Sequence, residues 1–75
     1  MGNISNAELV LKENLKKFRE QRNLTPYAFS KQVGMDAAQY YRLENKEYHN
    51  RLNFEILERI ARCYEIEFYE LFKTE

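Results

Sequence analysis

Residues that bind metals or cross-link a chain are scarce in this sequence. Cys63 is the only cysteine and His49 the only histidine among 75 residues. One cysteine excludes an intramolecular disulfide and a thiolate metal cluster, and one histidine argues against a histidine zinc site or a histidine-based triad. The sequence also shows no paired-carboxylate pocket and no nucleophile–base pair. We therefore expect no metal, no cofactor and no enzymatic activity.

Turn-forming residues and long apolar runs are scarce as well. The chain has two glycines and one proline, and this low content, together with many Leu, Glu, Lys and Arg residues, favours helix. No apolar run approaches the length that crosses a bilayer and no signal-peptide core is present, so we expect a soluble cytoplasmic protein with no membrane partner. A chain of 75 residues has room for one small domain. We predict an all-α fold over residues 1–75.

Charge of neither sign dominates, since twelve basic residues balance twelve acidic ones. The distribution is uneven: residues 1–42 hold seven basic and four acidic residues, and residues 43–75 hold five basic and eight acidic residues. A phosphate responds to the local field rather than to the total charge, so one basic side can still bind a polyanion. Overall neutrality nevertheless argues against strong nonspecific affinity for nucleic acid.

Four capping patterns mark where helices begin. In the first, Ser5 and Glu8 form a capping-box pattern, in which the serine bonds the amide three positions on and the glutamate reaches back. The other patterns are Thr25 followed by Pro26, Asp36 followed by Gln39, and Asn53. Asn23 and Gly34 are predicted to end the first two helices in the left-handed conformation.

Apolar residues recur at three- and four-residue spacing after each cap, and a last short stripe follows Glu67, so we predict five helices. Residues 46–52 have no such period and are predicted to form a polar loop. Cys63 is predicted to be a small buried residue, and Tyr27, Tyr41, Tyr48 and Tyr69 to lie at the surface. The predicted inner faces are Val10, Leu11, Leu15 and Phe18; Phe29 and Val33; Tyr40 and Leu43; Phe54, Leu57, Ile60, Ala61 and Tyr64; and Phe68, Leu71 and Phe72.

Residues 25–45 have the pattern of two helices that meet over a tight turn. Ser30 supplies a small side chain where the helices approach, and Gly34 tolerates positive φ in the turn. Together with the apolar inner positions Phe29, Val33 and Leu43, this segment resembles the helix-turn-helix of the XRE-type, lambda-repressor/Cro-like regulators. The resemblance covers about residues 11–72. It implies a compact five-helix, lambda-repressor-like DNA-binding domain with its motif at residues 25–45.

The resemblance implies that the third helix, residues 37–45, lies in the major groove of double-stranded DNA. The residues that it assigns to base reading are Ala37, Ala38, Tyr41 and Arg42. Arg42 can pair bidentately with guanine, which is worth about 1–3 kcal/mol of discrimination, and Ala38 can offer a methyl group to thymine. The side chains and helix starts suited to the DNA backbone are Thr25, Tyr27, Lys31, Asn45, Lys46, His49, Asn50, Arg51 and Asn53.

The resemblance also implies a structural ion pair between Arg19 and Glu44, which would tie the first helix to the end of the third. The chain departs from the family pattern at three positions. Pro26 stands where many members place a DNA-contacting glutamine, Lys46 stands where glycine is usual, and Asp36 brings a carboxylate near the phosphates. These departures predict low intrinsic affinity for DNA or recognition through few base contacts.

The function implied is that of a sequence-specific, repressor-like transcriptional regulator that binds operator DNA as a homodimer. The alternative is a helix-turn-helix fold used as a protein-binding module, such as an inhibitor or antirepressor, with weak or no DNA binding. Exposed tyrosines and zero net charge suit that alternative. That alternative implies a protein partner instead of DNA.

Overall fold

Four α-helices and one short 3-10 helix make up the chain in our computed structural model, which describes residues 5–74. The helices are α1 (Asn6–Gln21), α2 (Pro26–Val33), α3 (Ala37–Glu44) and α4 (Phe54–Tyr64), followed by the 3-10 helix Phe68–Phe72. The all-helical fold matches the prediction, but the count of five α-helices is wrong because the last element is a single 3-10 segment, the form that short terminal helices often take. Within residues 5–74 no helix is long and apolar enough to span a membrane.

Each α-helix begins at the cap that the sequence predicts. The capping side chains and the amides that donate to them are Ser5 and Glu8 (3.1 Å), Thr25 and Ala28 (3.1 Å), Asp36 and Gln39 (3.2 Å), and Asn53 and Ile56 (3.2 Å). One half of the first capping box is wrong. The Glu8 carboxylate binds the loop after α3 instead of reaching back to Ser5.

A residue in the left-handed conformation follows three of the α-helices. Gly34 ends α2 with φ of 82° and Asn23 follows α1 with φ of 57°, both as the sequence predicts. Glu65 ends α4 with φ of 59°, which the sequence did not indicate. Its amide donates to the carbonyl of Arg62, so the gain in capping offsets the strain of a left-handed glutamate.

The core lies where α1 packs on α3 and on the 3-10 helix, and where α2 packs on α3 and α4. Phe29 is its centre: its ring stacks on Tyr64 at 4.5 Å between centroids and meets Tyr40 edge-on at 5.2 Å. The prediction that Phe54 belongs to the inner face of α4 is wrong. Phe54 is the first residue of α4, is 63% exposed, and has its ring in contact with Phe68. Cys63 is half-buried at the core edge, not enclosed as predicted.

Candidate nucleic-acid interface

The turn between α2 and α3 fixes how α3 is presented. Ser30 is fully buried where the two helices meet, and its hydroxyl donates to the Tyr27 carbonyl at 2.7 Å. The chain then reverses through Gly34, and the Met35 amide donates to the Ser30 carbonyl at 3.0 Å. A small side chain and a left-handed glycine thus set the relation between the two helices of the motif.

The outer face of α3 follows from which residues its packing buries. Tyr40 and Leu43 point into the core, Ala37 is half-buried, and Ala38, Gln39, Tyr41 and Arg42 are exposed. Within residues 5–74 the Arg42 guanidinium has no hydrogen-bond or ion-pair partner, so all its donors are available to a ligand. Asn45 lies just past the end of α3, as its C-cap, rather than within it.

The C-terminal end of α3 is anchored to α1 by Arg19 and Glu44, the pair expected from the sequence. The guanidinium donates from Nε and Nη2 to the two carboxylate oxygens at 2.6 and 2.9 Å, and the Tyr40 hydroxyl donates to the same carboxylate at 2.6 Å. The hydrogen bond to Glu44 raises the pKa of Arg19 against the opposing effect of burial. Burial, with Tyr64 and Glu44 nearby, raises the pKa of Tyr40. This closed network holds the outer face of α3 in a fixed orientation.

The start of α2 presents the first group of predicted backbone contacts. Thr25 is exposed and uses its hydroxyl oxygen to cap the helix. Tyr27 is 61% exposed, and the Lys31 ammonium lies 5.0 Å from its ring centroid. Because the first amides of a helix point outward, this end of α2 suits a phosphate, although Pro26 supplies no N–H.

The loop between α3 and α4 holds a second group. Asn45 uses its side-chain oxygen to accept from the Glu47 amide at 2.8 Å. Lys46 pairs with Glu13 at 2.8 Å, and both side chains are more than half exposed, so the pair can exchange for a phosphate at little cost. The Arg51 side chain is exposed and has no partner among residues 5–74. Asn53 caps α4 through its side chain.

His49 and Asn50 are tied to α1 by two charged residues, Glu8 and Lys12, neither of which was predicted to contact this loop. The Glu8 carboxylate accepts from the Asn50 amide at 2.7 Å and contacts His49 Nδ1 at 2.8 Å. The Lys12 ammonium donates to Asn50 Oδ1 at 2.6 Å and to the Leu43 carbonyl at 2.9 Å. Asn50 therefore has only its side-chain NH₂ left for a DNA phosphate.

The ionisation of this cluster reflects burial and compensation. Burial opposes the charge on Glu8, but the Asn50 amide, His49 and Lys12 together hold the pKa of Glu8 below its ordinary value. Burial lowers the pKa of Lys12, and the Glu8 charge opposes that shift. Both groups are thus kept as a compensated ion pair at the start of α1, with their nitrogen and oxygen 3.6 Å apart.

Sequence reasoning missed the roles of one exposed residue of this surface and of two buried residues behind it. Glu8 and Lys12 have the i, i+4 spacing of an ordinary exposed helix pair, so nothing in the sequence marked them as buried. Gln39 was interpreted only as a capping partner, yet its side chain is exposed on α3. An amide on a reading helix was the available signal, because glutamine can pair bidentately with adenine. No group of three or more potential metal ligands occurs in the part of the chain that the structure describes.

A family model described as a Cro/C1-type HTH DNA-binding domain matches residues 14–75, from the middle of α1 through the C-terminal segment. The comparisons with curated proteins and with solved structures found no match. The matched range contains α2, α3 and the loop that follows them, and therefore most of the surface described above.

Proposed function

Because the chain belongs to the Cro/C1-type HTH DNA-binding domain family, and is thus a DNA-binding regulator in general terms, we propose that it is a sequence-specific, repressor-like regulator. It places α3 in the major groove of operator DNA in the cytoplasm. The observation that carries this proposal is Arg42, an exposed arginine without a partner in residues 5–74, on the outer face of α3 in its last turn. The protein acts by occupying its site, with no chemistry of its own.

Base reading rests on few side chains. Arg42 takes a guanine through its two parallel N–H donors, and Ala38 offers a methyl group to thymine. Ala37 and Tyr41 add apolar contact, and Tyr41 can also reach a phosphate. Gln39, at the side of α3, can pair with an adenine. Specificity is then concentrated in two polar readers on each copy of α3.

Backbone contacts position the helix and carry most of the salt dependence. Arg51 is the leading contact, because it is exposed beside α3 and has no partner within residues 5–74. Lys46 joins it by exchanging Glu13 for a phosphate. The remaining proposed contacts are Thr25, Tyr27, Lys31, Asn45, His49, Asn50 and Asn53.

We further propose that the protein binds as a homodimer. A domain with few base contacts reaches useful affinity by binding two half-sites, which a two-fold dimer matches. The C-terminal aromatic surface, formed by Phe54, Phe68, Tyr69 and Phe72, is the candidate contact between copies. Phe54 and Tyr69 are 63% and 64% exposed, and the Phe68 ring lies 4.6 Å from Phe54 and 5.8 Å from Phe72. Aromatic residues of this kind are enriched in protein interfaces.

The test is a selection of bound duplexes from a random library, followed by anisotropy titrations on the selected duplex and on a scrambled one over a range of salt. We expect a preferred, two-fold-related sequence, and an affinity that falls steeply with salt. Binding that is equal on the two duplexes would contradict sequence specificity. Failure to bind either duplex at low salt would leave the protein-binding alternative as the better account.

A further inference from the structure

Two charged side chains at the start of α1 are buried but lie outside the surface proposed to face DNA. The side chains of Lys12 and Glu8 are 0% and 3% exposed. Burying an ion pair costs solvation and often stabilises no more than apolar residues would. The reason for burying this pair therefore has to be sought in the groups that Lys12 and Glu8 bind.

The pair holds the end of α3 and the loop after it. Lys12 donates to the carbonyls of Arg42 and Leu43 at 3.2 and 2.9 Å, in the last turn of α3. It also donates to Asn50 Oδ1, while Glu8 accepts the Asn50 amide. One network thus joins the start of α1, the end of the reading helix and the middle of the loop.

Glu8 also fixes the orientation of the only histidine. His49 Nδ1 lies 2.8 Å from a Glu8 oxygen, whereas the His49 side chain as a whole is 58% exposed. Because the carboxylate accepts, Nδ1 carries the hydrogen, and the ring edge with Nε2 is left toward solvent. In the neutral ring Nε2 is then an acceptor, which repels a phosphate oxygen; in the imidazolium it is a donor. Within residues 5–74, Glu8 is the charged group in contact with this ring, and Lys12 lies 3.6 Å from the other oxygen of the Glu8 carboxylate.

We propose that Glu8 is a positioning residue for DNA binding: it orients His49 so that the imidazolium donates from Nε2 to a backbone phosphate, and it thereby makes DNA affinity increase as pH falls. The inference rests on the proposed function, because it deepens the role of the loop in that function. The Asn50 amide, which donates to Glu8 at 2.7 Å, holds the loop against α1 beside His49. Binding to DNA then takes up a proton at His49.

The first experiment compares Kd for the selected duplex at about pH 8 and about pH 6, the range over which histidine gains its charge, at one fixed salt concentration. For the wild type we expect binding about tenfold tighter at the lower pH, the value of one added charge-assisted hydrogen bond. His49→Gln should lose this gain. Tyr48→Phe changes an exposed neighbour in the same loop and should keep it. A gain that persists in His49→Gln would overturn the proposal.

The second experiment separates positioning from folding. Glu8→Gln keeps an acceptor for the Asn50 amide but removes the charge, whereas Glu8→Ala removes both. Hydrogen exchange of the Asn50 amide, measured without DNA, should stay slow in Glu8→Gln and become fast in Glu8→Ala. Glu8→Gln should also bind the duplex with a smaller gain between the two pH values than the wild type.

Failure of the positioning role of Glu8 and failure of the proposed function give different results. A pH profile of Glu8→Gln equal to that of the wild type, or fast exchange of the Asn50 amide in the wild type, would overturn the positioning role while leaving the proposed function intact. If Glu8→Ala does not fold, Glu8→Gln and His49→Gln still decide the matter. Absence of wild-type binding to any duplex at both pH values would overturn the proposed function, and this inference with it.

Discussion

Arg42 and Arg51 are exposed arginines without partners in residues 5–74, but they differ in their supports. Arg42 projects from a helix whose end is held by the Arg19–Glu44 pair, so its guanidinium starts from a fixed backbone position. Arg51 projects from the loop rather than from a helix, next to Asn50, whose amide donates to Glu8. A side chain on a fixed helix suits the precise geometry of a base edge, whereas a side chain on a loop suits a phosphate.

Arg42→Ala should therefore relax preference at one base pair in each half-site and cost about 1–3 kcal/mol on the selected duplex. Arg51→Ala should weaken binding to all sequences about equally and reduce the salt slope by roughly one. Titrations of both variants on the selected and scrambled duplexes distinguish these effects. Equal weakening of both duplexes by Arg42→Ala would mean that this residue is a phosphate contact.

Glu44 has a larger structural role than either arginine. Its carboxylate receives Arg19 and Tyr40, and the ion pair is only 10% and 9% exposed. Glu44→Ala removes the carboxylate that accepts from the buried Arg19 guanidinium and from the Tyr40 hydroxyl. We therefore expect a loss of about 3–5 kcal/mol in the free energy of unfolding. Urea denaturation measures it. Lys46→Ala, which breaks the exposed pair with Glu13, is the control and should unfold close to the wild-type midpoint.

Among the elements, the α2–α3 turn tests the motif most directly. An added Cβ at Gly34 would meet only Arg59 Nη1, at an ordinary contact distance of 3.7 Å, so space is not the constraint. The constraint is the backbone, with φ of 82°, a region that β-branched residues rarely adopt.

Gly34→Val should lower the free energy of unfolding by more than about 1 kcal/mol through backbone strain. Gly34→Asn is the matched control, because asparagine tolerates the left-handed region, and it should lose less. Thermal or urea unfolding of the two variants provides the comparison. A valine variant as stable as the asparagine variant would show that the turn relaxes to another conformation.

The contact between α1 and the loop predicts a dependence of stability on pH. The pKa of Glu8 is lower in the folded protein than its ordinary value of 4.5. The folded state thus favours the carboxylate, so its contribution is complete above that ordinary value and is lost as pH falls through the folded pKa. Glu8→Gln should be less stable than the wild type at pH 7, and the difference should shrink in acid. The test is the urea midpoint of the wild type and of Glu8→Gln, measured at pH 7 and in acid. A difference between the two proteins that does not change with pH would contradict the prediction.

At the scale of the whole molecule, the predicted DNA contacts and the C-terminal aromatic surface are built from different elements. The former belong to α2, α3 and the loop, and the latter to α4 and the 3-10 helix. Asn14 connects α1 to the C-terminal segment, since its side-chain amide donates to the carbonyls of Leu71 and Lys73 at 2.8 and 3.0 Å. This arrangement allows self-association to be perturbed without altering the reading helix.

Tyr69→Lys should weaken self-association, because it places a charge on the C-terminal aromatic surface. Sedimentation velocity over a range of protein concentration measures the effect. Tyr48→Lys makes the same chemical change in the loop and should leave the monomer–dimer equilibrium unchanged. A wild type that sediments as a monomer at every concentration would remove the dimer from the proposal.

Local signals in the sequence determined where the helices lie. Capping residues, the left-handed positions Asn23 and Gly34, and apolar spacing act over three or four residues, and each is visible in the chain itself. They located α1 to α4 and identified the helix-turn-helix. They failed at Phe54, where the periodicity was right but the first turn of α4 extends past the core. They also failed at the last helix, where hydrogen bonds join residues three apart, as from the Glu70 amide to the Glu67 carbonyl.

Only the tertiary structure decided the partners of Glu8, Lys12 and Asn50. Glu8 and Lys12 are separated from Asn50 by about half the chain, and their spacing on α1 is the same whether the pair is exposed or buried. Packing of α1 on α3 excludes water from that place, and burial forces each charge to find a partner in the loop. Contacts of this kind depend on the distance between elements, a quantity that no local pattern contains.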